Sequence, residues 1–150
     1  MKINNKEIEE RVKHFESVCR REGIKLTHQR IEIFREVAQT GDHPDAEQVF
    51  TRVKGRIPTV SLDTVYRTLW LLKDLGLVVP IGSSRERTRF DANLSTHHHF
   101  VCGSCGFTRD FYSSDLDNIQ LPDAVTSFGQ IEATHVEVRG VCQKCAKKQK

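Results

Sequence analysis

Two Cys-x-x-Cys pairs, Cys102/Cys105 and Cys142/Cys145, constrain this 150-residue chain more than any other feature. Pairs at this internal spacing can supply four thiolates to one tetrahedral Zn²⁺, each pair wrapping one side of the ion. The 36 residues between the pairs exceed a compact zinc ribbon, so the ion would staple together strands distant in sequence. Four thiolates leave no open coordination position, which makes such a site structural. Gly103 and Gly106 permit the tight, positive-φ backbone that each knuckle needs. A redox dithiol would not require two pairs, and neither pair is followed by His, which excludes c-type haem attachment. Cys19 stands outside the set and fits a small buried apolar residue on a helix.

The first 20 residues lack the apolar core of a signal peptide, and no apolar run approaches the roughly 18 residues that span a bilayer. The expected setting is the cytoplasm, with no membrane partner, where five cysteines read as metal ligands or thiols before disulfides. Charge is divided along the chain. Residues 1–89 carry 17 Lys/Arg against 13 Asp/Glu, whereas residues 90–150 carry 6 against 7. A basic first half suggests an anionic partner, and an acidic, His/Cys-rich second half suggests cations.

Hydrophobic spacing orders the first half. Residues 7–21 read as a helix with Ile8, Val12, Phe15 and Cys19 on one side, closed by Gly23. Thr27 can cap a second helix with Ile31, Phe34 and Ala38 inward, and Asp45 a third with Ala46, Val49, Phe50 and Val53 inward. Ser61 can cap a fourth, whose stripe is Leu62, Val65, Leu69 and Leu72 and whose end is Gly76. "LVVPIGSSRERTRFDA" reads as two short strands around an arginine-bearing turn. Helices followed by a basic hairpin form a winged helix-turn-helix pattern. The fold class is therefore α+β: a winged-helix domain over residues 1–89, a hinge at 90–96, and a β-rich domain over 97–150. Within the last, a helix is expected near 114–128, interrupted by Pro122, and strand from "IEATHVEVRGVC".

"THHHFVC" adds a second constellation. His97 and His99 alternate on a strand and face one way, while His98 faces the other. Asp91 precedes them and Asp110 follows on the next expected strand. Imidazole and carboxylate together suit Fe²⁺, Mn²⁺ or Zn²⁺. A polar strand edge gives the same periodicity, so spacing alone leaves both readings open.

The stretches "GIKLTHQR", "HPDAEQVF", "SLDTVYRTLWLLKDLGLV", "RFD", "HHHFVCGSCGFTRDF" and "GVCQKC", in this order, resemble the ferric uptake regulator (Fur) family of metal-dependent repressors. The resemblance implies a winged-helix DNA-binding domain, a hinge and a C-terminal α/β dimerisation domain. It assigns Cys102, Cys105, Cys142 and Cys145 to structural zinc. A regulatory Fe²⁺ or Mn²⁺ falls on His43, Asp91, His97, His99 and Asp110. Asp110, where iron-sensing members have Glu, resembles the peroxide-sensing (PerR) branch, in which His43 or His97 would be the oxidation-sensitive ligand. The alternative is an iron-, zinc- or manganese-responsive member without histidine oxidation. Two departures stand out: His28 where members often have Pro, and Thr134 where many have a His for a further metal site. His135 beside it is expected on the opposite side of a strand.

A homodimer on a palindromic duplex is the implied assembly. Arg67 lies opposite the buried stripe of the fourth helix, with Thr64 and Tyr66 near it; Tyr66 suits a thymine methyl and Arg67 a phosphate or guanine edge. Lys25 matches the family position that reaches the minor groove. Thr27, Gln29, Arg30 and Ser61 suit backbone contacts, and Arg85 and Arg87 at the wing tip suit phosphates. A zinc hydrolase or deaminase would need His-Glu-x-x-His, or His-x-Glu with Pro-Cys-x-x-Cys, and the chain has neither. The chain is therefore expected not to be an enzyme.

Overall fold

The computed structural model describes residues 3–82 and 88–149. They form two compact units that part between Leu94 and Ser95. The first opens with α1 (Asn5–Arg21), α2 (His28–Gln39), α3 (Ala46–Lys54) and α4 (Leu62–Asp74). A two-stranded antiparallel sheet follows, β1 (Val79–Ile81) and β2 (Arg89–Asp91), with Pro80 opposite Phe90. The turn bearing Arg85 and Arg87 lies outside the described residues.

Each helix starts where its sequence offers an oxygen to the orphan N–H groups of the first turn. The Thr27 and Ser61 hydroxyls accept from the Arg30 and Thr64 amides at 3.2 and 3.1 Å. Asp45 and Gln48 form a reciprocal capping box at α3. Gly23 and Gly76 adopt φ of 68° and 73° just beyond α1 and α4, conformations that a side chain would disfavour. The apolar stripes meet in one core, in which Phe15 and Phe34 pack with ring centroids 4.9 Å apart and Val65, Leu69 and Leu72 are buried from α4.

The second unit is built on β3 (His98–Cys102), which pairs antiparallel with β4 (Thr108–Phe111). The chain then passes through α5 (Ser114–Asp117) and α6 (Asp123–Thr126) before β5 (Glu137–Gly140) joins β3 in parallel, and α7 (Gln143–Lys148) follows. The helix expected over 114–128 is thus two single turns. Pro122 lies between them and caps α6 with an extended ψ of 148°, a conformation that ends one helix and admits the next. Residues 131–136 are not strand, so β structure near the C-terminus is confined to β5. Among the described residues of this unit, Cys102 is the one fully buried apolar side chain; the other buried groups are His97, His98, His99 and Thr108. No described helix is long and apolar enough to cross a membrane.

Candidate metal centres and nucleic-acid interface

β3 delivers Cys102 and its following turn delivers Cys105, while β5 runs alongside and leads into α7, which begins after Cys142. The parallel pairing of β3 with β5 therefore carries the two cysteine pairs to one end of the sheet. All four Sγ atoms lie within 4.8 Å of one another. Cys105 and Cys142 are 3.7 Å apart, and Zn–S bonds of about 2.3 Å give a tetrahedral S···S edge of about 3.8 Å. The Cys142 and Phe107 amides donate to the sulfurs of Cys102 and Cys105 at 3.3 and 3.4 Å. Amides from Cys142 and Cys105 hold the Cys102 thiol down to about 6, whereas contacts with the Cys142 and Cys105 thiols push Cys145 up to about 12. Gly106 uses the positive φ (77°) anticipated for the knuckle; Gly103 does not, because its backbone continues the ladder and its N–H donates to Gly140.

The nitrogen and oxygen donors occur in both units. In the first, the His43 Nδ1 and an Asp91 oxygen are 3.5 Å apart, both side chains only 2–3% exposed. β2 holds this pair in place. The Arg89 guanidinium donates to the carbonyls of Asp42 and His43, and the Phe90 N–H donates to that of Pro44. His43 has φ 50°, the one positive φ among the described non-glycine residues. Strain of this kind is tolerated where surrounding bonds over-determine the backbone, and it concentrates at functional positions.

In the second unit, the register sets Asp110 directly opposite His99, so their side chains share a face. The Asp110 carboxylate lies 3.1 Å from His99 Nε2 and 3.7 Å from His97 Nε2. The His97 and His99 rings meet edge-on at 4.6 Å, as their alternation on the strand requires. His97 donates from Nδ1 to the Ser95 carbonyl, which fixes the ring and directs the Nε2 lone pair toward Asp110. Donors sharing an ion at about 2.1 Å lie about 3.0 Å apart at right angles and about 3.4 Å apart in a tetrahedron. Both groups fit a mixed nitrogen/oxygen site for a divalent metal on donor chemistry and spacing.

On the first unit, Lys25, Thr27, Gln29, Arg30, Thr64 and Arg67 line one groove of about 340 Å³ between the start of α2 and the outer side of α4. These residues are far apart in sequence, and each carries a cationic group or a hydrogen-bonding oxygen or amide. Arg67 pairs with Asp63 at 2.9 Å while remaining largely exposed, so the pair orients the guanidinium and contributes little to stability. Ser61 is engaged in capping α4, and Tyr66 is 39% exposed on its flank.

The model of the ferric uptake regulator family matches residues 21–139. The chain belongs to the ferric uptake regulator family. It is 34% identical over 129 residues to the peroxide-responsive repressor PerR of Staphylococcus epidermidis, covering 84% of each protein. It is likewise 34% identical over 128 residues to the peroxide operon regulator of Bacillus subtilis, covering 85% of this chain and 88% of that one. Its fold is shared with the Helicobacter pylori ferric uptake regulator Fur (TM-score 0.78, 20% identity, 97% of each chain covered), a structure described as having three functional metal-binding sites.

His98 lies on the other face of β3 from His97 and His99. The Val136 amide donates to His98 Nδ1 at 3.2 Å, so the ring donates from Nε2 to Asp117 at 2.8 Å. Both nitrogens of a fully buried ring are thereby engaged without a metal. His135 does not point away as alternation would require. Residues 131–136 are irregular, and its Nε2 lies 3.3 Å from His99 Nδ1. Sequence periodicity missed this contact because the periodicity is absent there. Asp117→Ala leaves a buried imidazole N–H without its carboxylate, and should destabilise the second unit by about 1–3 kcal/mol. A lower thermal midpoint with unchanged metal content is the expected result; loss of a bound metal instead would reveal a ligand role.

Proposed function

We propose that this protein is a metal-dependent transcriptional repressor that senses peroxide through oxidation of a regulatory histidine. Cys102, Cys105, Cys142 and Cys145 hold a structural Zn²⁺. His43, Asp91, His97, His99 and Asp110 hold one regulatory ion, which ties residues 1–89 to residues 97–150 across the segment 90–96. An ion that binds better when both parts are clamped favours the state in which two recognition helices fit a palindromic duplex. In each recognition helix, α4, Tyr66 and Arg67 read base edges. Lys25 reaches into the minor groove, Thr27, Gln29, Arg30, Ser61 and Thr64 contact the DNA backbone, and Arg85 and Arg87 add phosphate contacts. The partner copy is a second molecule of this chain, consistent with the exposed Phe107, Val138 and Val141 of the second unit. The reading places the protein in the cytoplasm and gives it no turnover activity.

The observation that carries the reading is the set of histidine–aspartate pairs on buried imidazoles, with only Asp as carboxylate donor, in a chain similar to two peroxide-responsive regulators. Fe²⁺ bound there would supply one-electron relay chemistry between hydrogen peroxide and a ligand ring, the ring giving up both electrons overall. In balance, one ring carbon of His43 or His97 exchanges C–H for a carbonyl with N–H, and peroxide leaves as water. The oxidised ring loses lone-pair basicity at its nitrogen, so the clamp opens and DNA is released.

Peptide mass spectrometry after brief peroxide exposure tests this. One added oxygen on His43 or His97 is expected with Fe²⁺ and absent with Mn²⁺, together with loss of duplex binding. DNA binding that follows iron occupancy with unmodified histidines would replace the reading by iron sensing.

A further inference from the structure

We propose that Trp70 transmits the state of the His43–Asp91 pair to the DNA-reading side of α4, as a positioning residue for Tyr66 and Arg67. The proposal rests on the reading that this pair holds the regulatory metal. Trp70 is the chain's single tryptophan. On α4, Val65, Thr68, Leu69 and Leu72 are buried, and helical geometry puts Asp63, Tyr66, Arg67 and Trp70 on the opposite side. Trp70 is one turn beyond Tyr66 and 42% exposed, so its indole lies at the edge of the core rather than within it. Its ring meets that of Phe90 edge-on, with centroids 5.8 Å apart and planes at 81°. Tyr66, Trp70, Thr88 and Phe90 border one groove of about 760 Å³.

Phe90 is the other half of the device. It is 1% exposed and sits at the centre of the three-residue β2. Alternation sends Arg89 and Asp91 to one face and Phe90 to the other. The first face holds the ligand loop, through Arg89 to the His43 carbonyl and Asp91 to the His43 ring. Phe90 is bonded covalently to Asp91, and its N–H reaches Pro44, the residue after His43. A shift of the His43–Asp91 donors therefore moves Phe90, whose ring the indole contacts. Edge-to-face packing depends on ring orientation, so a rigid indole registers a rotation that a flexible aliphatic side chain would absorb.

The test compares full-length wild type, Trp70→Phe, Trp70→Leu and Asp91→Ala. The duplex is a palindrome selected from a random-sequence pool for retention by the Mn²⁺-loaded wild type. The readout is the ratio of duplex Kd without and with Mn²⁺, with thermal midpoints confirming that each variant folds. Trp70→Leu should lower the ratio at least about fivefold, leave metal-free affinity within about twofold, and lower by the same factor the preference of Mn²⁺ for the DNA-bound over the free protein. Trp70→Phe should retain most of the ratio. Equal losses of affinity with and without Mn²⁺ would make Trp70 a plain DNA contact and overturn the proposal, as would an unchanged ratio. Asp91→Ala separates the two failures. If it keeps the wild-type ratio, the metal reading fails; if it flattens the ratio while Trp70→Leu keeps it, only the transmission fails.

Discussion

Cys142→Ser is expected to unfold the second unit while leaving the first intact. Structural zinc contributes about 10–16 kcal/mol in small metal-dependent folds, comparable to or larger than the whole stability of a typical domain. The second unit should depend on it unusually, since Cys102 is its one fully buried apolar side chain among the described residues and several apolar groups remain exposed. The variant should lose one zinc per chain, lose most of the strand signal in circular dichroism, and become protease-sensitive beyond Ser95. Helical signal from the first unit should persist. A folded, zinc-free second unit would defeat the assignment. Acid should act on the same cluster. The folded pKa of Cys102, about 6, lies below the usual thiol value of about 8.5, so its thiolate favours the fold above that value. This contribution is lost as pH falls through about 6. Bound zinc holds thiolates more strongly still, so metal release, followed with a colorimetric chelator, should begin below pH 6.

Asp91→Ala is the second large effect, and it should separate stability from function. Removing a metal ligand should weaken Mn²⁺ binding at least about 100-fold, since loss of even an outer partner costs 10- to 100-fold. The metal-dependent gain in duplex affinity should vanish. Without metal, the variant loses the acceptor of the Asn93 N–H, a 2.8 Å bond, so its metal-free thermal midpoint should fall only modestly, by the equivalent of about 1 kcal/mol. A large fall in that midpoint would mark Asp91 as a structural residue. Asp117→Ala is the control with the opposite signature, reducing stability and sparing metal-dependent binding.

The sequence was most informative where one local rule decides an outcome. Thr27, Asp45 and Ser61 were readable as caps because a side-chain oxygen before an apolar-periodic run has few other uses. The opposite facing of His97 and His98 follows from strand alternation alone. The four cysteines were legible as a group, although only the parallel pairing of β3 with β5 explains how they meet. His43 was not legible from spacing, because its role depends on a positive φ and on Arg89 reaching back 46 residues. The contact of Trp70 with Phe90 was equally hidden, as it joins a helix to a strand across an intervening hairpin. His135 was misplaced by extending strand periodicity into a segment that has none.

β3 and the residues flanking it carry the imidazoles of His97 and His99 and the sulfurs of Cys102 and Cys105 within nine residues. That compactness limits how this segment can diversify by insertion and deletion. One residue gained between His99 and Cys102 would invert every side chain on one side of the insertion, turning either the histidines from Asp110 or Cys102 from its partners. Two residues gained would restore the facing but displace the knuckle from β5 by about 7 Å. Point substitutions that exchange one donor for another leave the spacing whole. Lineages descending from such a chain can therefore exchange the donors at either cluster far more readily than they can separate the histidines from the cysteines.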